Sequence, residues 1–129
     1  MKESRTREDR VRLPLQITFR QVDASPALEA RIRELASRFA RFSEHITRCH
    51  VIVEPQPRHQ HHGRLCEFHI DITLPDAQIA IRRASPRDAA HADPYVALRD
   101  AFRAARRKLE DYERRRRLDV KSHSRPAQR

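Results

Sequence analysis

The sequence predicts an α+β fold of order β-α-β-β-β-α, a two-layer sandwich with two helices packed on one face of a four-stranded sheet. Three observations carry this. Four stretches alternate apolar and polar residues with a period of two, as half-buried strands do. Two longer stretches repeat apolar residues at steps of three and four, the spacing of one helix face. Each of those is entered by a capping residue followed by proline, Ser25-Pro26 and Asp93-Pro94. Elements with a single apolar face must bury it against one another, and helices laid on one side of a sheet do so most economically.

Residues 1–12 are charged and without period, which predicts a mobile basic arm. From Leu13 to Val22 the chain alternates, with Leu13, Leu15, Ile17 and Phe19 on one side and Gln16, Thr18 and Arg20 on the other. Ser25 then caps a helix, Pro26 fits its first position, and Glu29 suits the positive end of its dipole. Leu28, Ile32, Leu35, Phe39 and Phe42 follow at steps of four, three, four and three, so this helix is expected to end between Ser43 and His45. Arg31, Arg38 and Arg41 fall on the neighbouring stripe.

A second strand is expected over Thr47–Glu54, with Cys49, Val51 and Val53 inward, stopped by Pro55 and Pro57. Pro55 to Gly63 reads as a loop. The third strand, Cys66–Leu74, points Cys66, Phe68, Ile70, Ile72 and Leu74 inward and Glu67, His69, Asp71 and Thr73 outward. Pro75-Asp76 turns the chain into a fourth strand, Ala77–Arg83, antiparallel to the third, with Ile79 and Ile81 inward. Ala84 to Ala92 is a loop, and Asp93 caps the last helix, Pro94–Arg117. From Leu118 the period is lost, which predicts a disordered tail over 118–129.

Length and composition bound the function. A chain of 129 residues suits one domain with a modest core, here residues 13–117. It holds 28 Lys+Arg against 18 Asp+Glu, a net charge of +10, and its pI of about 11.0 points to nucleic acid or another anionic surface. No run nears the ~18 apolar residues of a membrane span, and the N-terminus has no apolar signal region, so a cytoplasmic protein without a membrane partner is expected. The single glycine, Gly63, excludes a phosphate-binding loop or dinucleotide fingerprint. Cys49 and Cys66 read as small buried hydrophobes, not a disulfide framework.

The last helix concentrates the charge. It carries nine Lys/Arg and four Asp/Glu, so 9 − 4 = +5, half of the chain's excess. Leu98, Ala101, Phe102, Ala105, Leu109 and Tyr112 make its apolar stripe, and Arg99, Arg103, Arg106, Arg107 and Lys108, then Arg114 to Arg117, occupy the other faces. A solvated face is the ordinary meaning of such a run. Pairs such as Asp100 with Arg103, or Glu110 with Arg106 and Arg114, would return only tenths of a kcal/mol. They leave an excess whose self-repulsion a polyanion would relieve. Arg114 to Arg117 also complement the helix C-terminus. Tyr112 continues the apolar stripe and belongs to the core, whereas Tyr95 suits either packing at the helix start or stacking on a base.

Chemistry beyond binding has little support. His59, His61 and His62, even with His50 or His69, lack a carboxylate or thiolate at matching spacing, so an exposed loop is expected and no metal or other cofactor. Glu67, His69 and Asp71 share an open strand face with no paired nucleophile and no pocket to shift a pKa, so neither an enzyme nor a small-molecule substrate is expected.

The β-α-β-β-β-α order, the Ser25-Pro26-Ala27-Leu28 entry to the first helix, and Asp93, Tyr95, Ala97 and Leu98 at the last resemble the ribosome hibernation-promoting factors, also called ribosome-associated translation inhibitors. The resemblance spans Leu13 to Arg117. It implies binding to the small ribosomal subunit and its rRNA in the mRNA/tRNA channel, blocking initiation under stress. Carried over by position, it turns Arg38, Arg41 and Arg107, with Arg20 at the end of the first strand, toward rRNA. With the cations read from the two helices, the expected RNA-binding set is Arg20, Arg31, Arg38, Arg41, Arg99, Arg103, Arg106, Arg107, Lys108, Arg114 and Arg115. The loops over 55–63 and 84–92 are longer than in compact members. No dimerisation domain follows the last helix, so a short, monomeric form is expected. The other readings are a free-standing RNA-binding module, akin to double-stranded-RNA-binding domains although those begin with a helix, and a regulatory domain for an acidic protein.

Overall fold

The alternating stretches form one mixed sheet ordered β1-β2-β3-β4, from β1 (Leu15–Phe19), β2 (Arg48–Pro55), β3 (Cys66–Leu74) and β4 (Ala77–Ala84). Two helices, α1 (Pro26–Ser37) and α2 (Pro94–Ser124), pack on one of its sides. This computed structural model describes residues 13–56, 66–84 and 93–124. The expected arm over 1–12, the His59/His61/His62 loop, most of the loop before Asp93, and residues 125–129 lie outside the described residues.

β1 runs parallel to β2, with Ile17 opposite Val51, and the other two pairings are antiparallel. Parallel neighbours need a crossover, and α1 is that crossover. β1 is shorter than the alternation from Leu13 to Val22. Pro14 has no N–H to donate, although its carbonyl still accepts from Cys49 at 2.8 Å. Past Arg20, Gln21 takes φ 62°, in the left-handed region that few non-glycine residues enter, and this breaks the strand and redirects the chain. Ser25 then caps α1 as expected, its Oγ accepting the Leu28 N–H at 3.2 Å.

The first helix ends earlier than its apolar spacing predicts. The α-helix stops at Ser37, and Arg38–Arg41 tighten into a 3₁₀ turn. Ser37 donates its hydroxyl to the Glu34 carbonyl at 2.7 Å, a local bond that competes with the helical ladder. Phe39 stays buried through the change and Phe42 is half-buried beside it.

The last helix errs the other way. It continues to Ser124, so residues 118–124 are helical where a disordered tail is expected. No glycine or proline follows Arg117 until Pro126, and a helix that has left its sheet needs no apolar stripe. Leu118 and Val120 are accordingly exposed at 58% and 60%. Asp93 caps the start, its Oδ1 accepting the Tyr95 N–H at 2.9 Å.

α2 lies chiefly over β4 and β3, with α1 beside it toward β1. Ile32 and Phe39 meet Leu98, Phe102 and Leu109 above Val51, Val53, Phe68, Ile70 and Ile72 in one core. The Phe39 and Phe102 rings join the helices at 5.4 Å between centroids. Cys49 is a free, buried cysteine of that core, its thiol pushed up to about 12 by burial and then by the Asp71 carboxylate.

Two polar clasps hold α2 in place. Glu113 falls four residues after Leu109, on the buried stripe, and is only 8% exposed. Its carboxylate accepts from the Ser43 hydroxyl and lies 3.0 Å from His45 Nδ1. Burial pushes the Glu113 carboxyl up, but the bonds from Ser43 and His45 and the charges of His45 and Arg116 outweigh it, leaving the group below its usual range. One residue earlier, the buried Tyr112 donates its hydroxyl to Asp76 at 2.6 Å and accepts from Arg116 at 3.2 Å. That bond from Tyr112, ahead of the nearby cationic groups, holds the Asp76 carboxyl low.

Candidate nucleic-acid interface

Where α1 and its 3₁₀ turn run beside α2, their flanks leave an open groove of about 690 Å³. Arg31, Arg38 and Arg41 stand on one wall and Arg99, Arg103 and Arg106 on the other, over a floor of Leu35, Phe39, Phe42 and Phe102. The arrangement follows from spacing. Leu28, Ile32 and Leu35 fix which stripe of α1 faces the sheet, so Arg31 and Arg38, seven residues apart, share its flank. Leu98, Phe102 and Leu109 do the same for α2 and turn Arg99, Arg103 and Arg106 toward α1.

Carboxylates neutralise this charge only in part. Glu34 pairs with Arg31 at 2.8 Å and Arg38 at 3.4 Å, and the Arg31 hydrogen bond is the main reason its carboxyl lies low. Glu110 takes the Nε of Arg106 at 3.0 Å. Six arginines against these two glutamates leave 6 − 2 = +4 along one groove. Among the described residues, Arg41, Arg99 and Arg103 form no ion pair. Exposed pairs contribute little energy, so the groove keeps its field.

The rest of the expected RNA-binding set is dispersed. Arg107 is exposed on the outer face of α2 next to Arg103. Arg114 lies further along the same side and pairs with Asp111 at 3.2 Å, not with Glu110. Lys108 is nine residues from Arg99, about 180° around the axis, and points away from the groove. Arg115 lines a separate cleft with Asp76 and Tyr112, where α2 overhangs the β3–β4 turn. Arg20 is on the opposite face of the sheet, 3.8 Å from Glu54. Tyr95 is 39% exposed at the start of α2, its ring outside the groove lining.

That opposite face is balanced. Arg20, Arg48 and Arg82 stand against Glu54, Glu67 and Asp71, so 3 − 3 = 0. Arg82 reaches Glu67 at 3.7 Å, Arg48 donates to Gln16 at 2.8 Å, and Gln78 donates to Asp71 at 3.2 Å. His50 lies 2.8 Å from the Thr18 hydroxyl, and burial, followed by Arg48, lowers its pKa and favours the neutral ring. The two faces thus differ in kind: one is self-paired and neutral, the other cationic with spare donors.

Sequence reasoning missed the Ser43–His45–Glu113 clasp and the role of Phe42. Glu113 was legible as a carboxylate on an apolar stripe, but its partners lie 70 and 68 residues away. The clasp is not a nucleophile with its base, because Ser43 gives its proton to the carboxylate and the imidazole binds that same carboxylate. Among the described residues no three His, Cys, Asp or Glu side chains cluster to hold a metal, and no helix is long and apolar enough to cross a membrane.

The fold is shared with solved structures. A ribosomal subunit interface protein from Coxiella burnetii superposes with a TM-score of 0.60 at 19% identity, covering 78% of this chain and 98% of that one. The N-terminal domain of Thermus thermophilus Protein Y gives a TM-score of 0.60 at 13% identity, with the same coverages of 78% and 98%. No curated protein matches the chain. The family model described as sigma 54 modulation protein / S30EA ribosomal protein matches residues 15–117, from the first residue of β1 into the arginine run of α2. The chain therefore belongs to the sigma 54 modulation protein / S30EA ribosomal protein family, the ribosome hibernation family that its helix-entry motifs resemble.

Proposed function

We propose that the protein is a ribosome-associated translation inhibitor that binds small-subunit rRNA through the α1–α2 groove and occludes the mRNA/tRNA channel under stress. Family membership supports the ribosome as partner, and one solved neighbour is described as a ribosomal subunit interface protein. The observation that carries the RNA reading is the groove itself, six arginines with a net +4 and three of them without an ion pair among the described residues. Folded RNA presents phosphates at spacings set by its shape, and a rigid pair of cationic walls reads that shape without reading bases. The role needs no catalytic group or cofactor, and it places the protein in the cytoplasm as a monomer on the ribosome.

Sedimentation with purified small subunits over a salt series tests this. About six neutralised phosphates give a slope near −5 for log K against log salt. A chain that stays in the supernatant at low salt would refute the reading. Equal competition by plain duplex RNA would favour a free-standing RNA-binding module.

A further inference from the structure

The six arginines of the groove are not equivalent. Arg106 alone lies over an aromatic ring, its Cζ 4.2 Å from the Phe42 centroid. Its Nε is also held in the plane by Glu110 at 3.0 Å. The guanidinium is therefore seated over a ring and one edge is tied, while the side chain remains 54% exposed. A free arginine arrives at RNA as a mobile charge; this one is a flat cationic plate fixed before binding, and such plates stack unpaired bases. From this geometry we infer that Arg106, backed by Phe42, is a base-stacking platform that takes one unstacked nucleobase of single-stranded RNA into the α1–α2 groove. Arg99 and Arg103 beside it, and Arg38 and Arg41 opposite, are placed to hold the flanking phosphates. The groove, at about 690 Å³, is in the size range of pockets that enclose small organic ligands, so it has room for a base.

This rests on the RNA-binding reading, and its test separates the two. Arg106→Lys keeps the charge but loses the plane, whereas Arg33→Lys makes the same exchange outside the groove, at an exposed arginine paired with Glu29. Small-subunit binding should fall about five- to tenfold for Arg106→Lys with an unchanged salt slope, in line with the usual worth of a base–aromatic stack. Arg33→Lys should stay within about twofold. Arg106→Gln should lose more affinity than Arg106→Lys and also lower the slope by about one. In a second arm, a single-stranded oligoribonucleotide carrying 2-aminopurine should be quenched by the wild-type chain and by Arg33→Lys, but not by Arg106→Lys. RNA binding with Arg106→Lys equal to wild type in both arms overturns the platform and leaves the functional reading standing. Failure of the wild-type chain to bind either RNA overturns both.

Discussion

Replacing Glu113 with alanine is the sharpest test of how the groove is held together. The side chain is 8% exposed and joins α2 to the segment after α1 through Ser43 and His45. A hydrogen bond to a charged group contributes about 1.5–3 kcal/mol, and Ser43, itself 6% exposed, is left without its acceptor. The His45 side chain is 35% exposed, so that contact adds at most about 1 kcal/mol after solvent screening. The sum is about 1.5–4 kcal/mol, a fall in melting temperature of about 5–15 °C for a domain of this size. Urea denaturation followed by circular dichroism gives the free energy directly. A cycle with Ser43→Ala should return a coupling of about 1–2 kcal/mol, because the two residues share one bond. A loss below about 0.5 kcal/mol for Glu113→Ala, or strict additivity in the cycle, would show that the clasp does not hold the helix.

Other outcomes follow from the same contacts. Because the folded Glu113 carboxyl lies below its ordinary value of 4.5, its stabilisation is present above about pH 4.5 and is lost as pH falls through the folded value. Between pH 5 and 3 the wild-type chain should therefore lose more stability than Glu113→Gln. Tyr112→Phe removes the donor that holds the Asp76 carboxyl low, so NMR titration should show Asp76 moving up toward the ordinary carboxylate range. Cys49, buried and pushed up to about 12, should resist alkylation at pH 8 in the folded protein and react only at the rate of opening. Rapid labelling of folded Cys49 would contradict the packing of β2.

Much of this architecture was legible because period and capping are local signals. The Cys66–Leu74 alternation gives β3 residue for residue, and Ser25 and Asp93 cap the helices where the chain says they should. What failed were helix ends. Apolar spacing through Phe42 looks the same whether the backbone is α or 3₁₀, and a Ser37 back-bond decides between them. Beyond Arg117 the period vanishes because the sheet is no longer beneath the helix, not because the helix stops. The site was half legible. Spacing put Arg31 and Arg38 on one stripe and Arg99, Arg103 and Arg106 on another, but only the packing of Phe39 on Phe102 makes those stripes face each other. The sheet likewise separates Arg20 from them, through a parallel pairing that nothing local encodes.

The central claim is that the groove, and not net charge alone, binds the ribosome. Two charge-matched pairs test it: Arg38→Gln with Arg103→Gln inside the groove, and Arg20→Gln with Lys108→Gln outside it. Each pair removes two cations, so a purely electrostatic attraction would treat them alike. In small-subunit sedimentation at about 0.1 M salt, the groove pair should bind at least tenfold more weakly, with the salt slope reduced by about two. The outer pair should remain within about twofold of wild type. Equal losses for the two pairs would contradict the account.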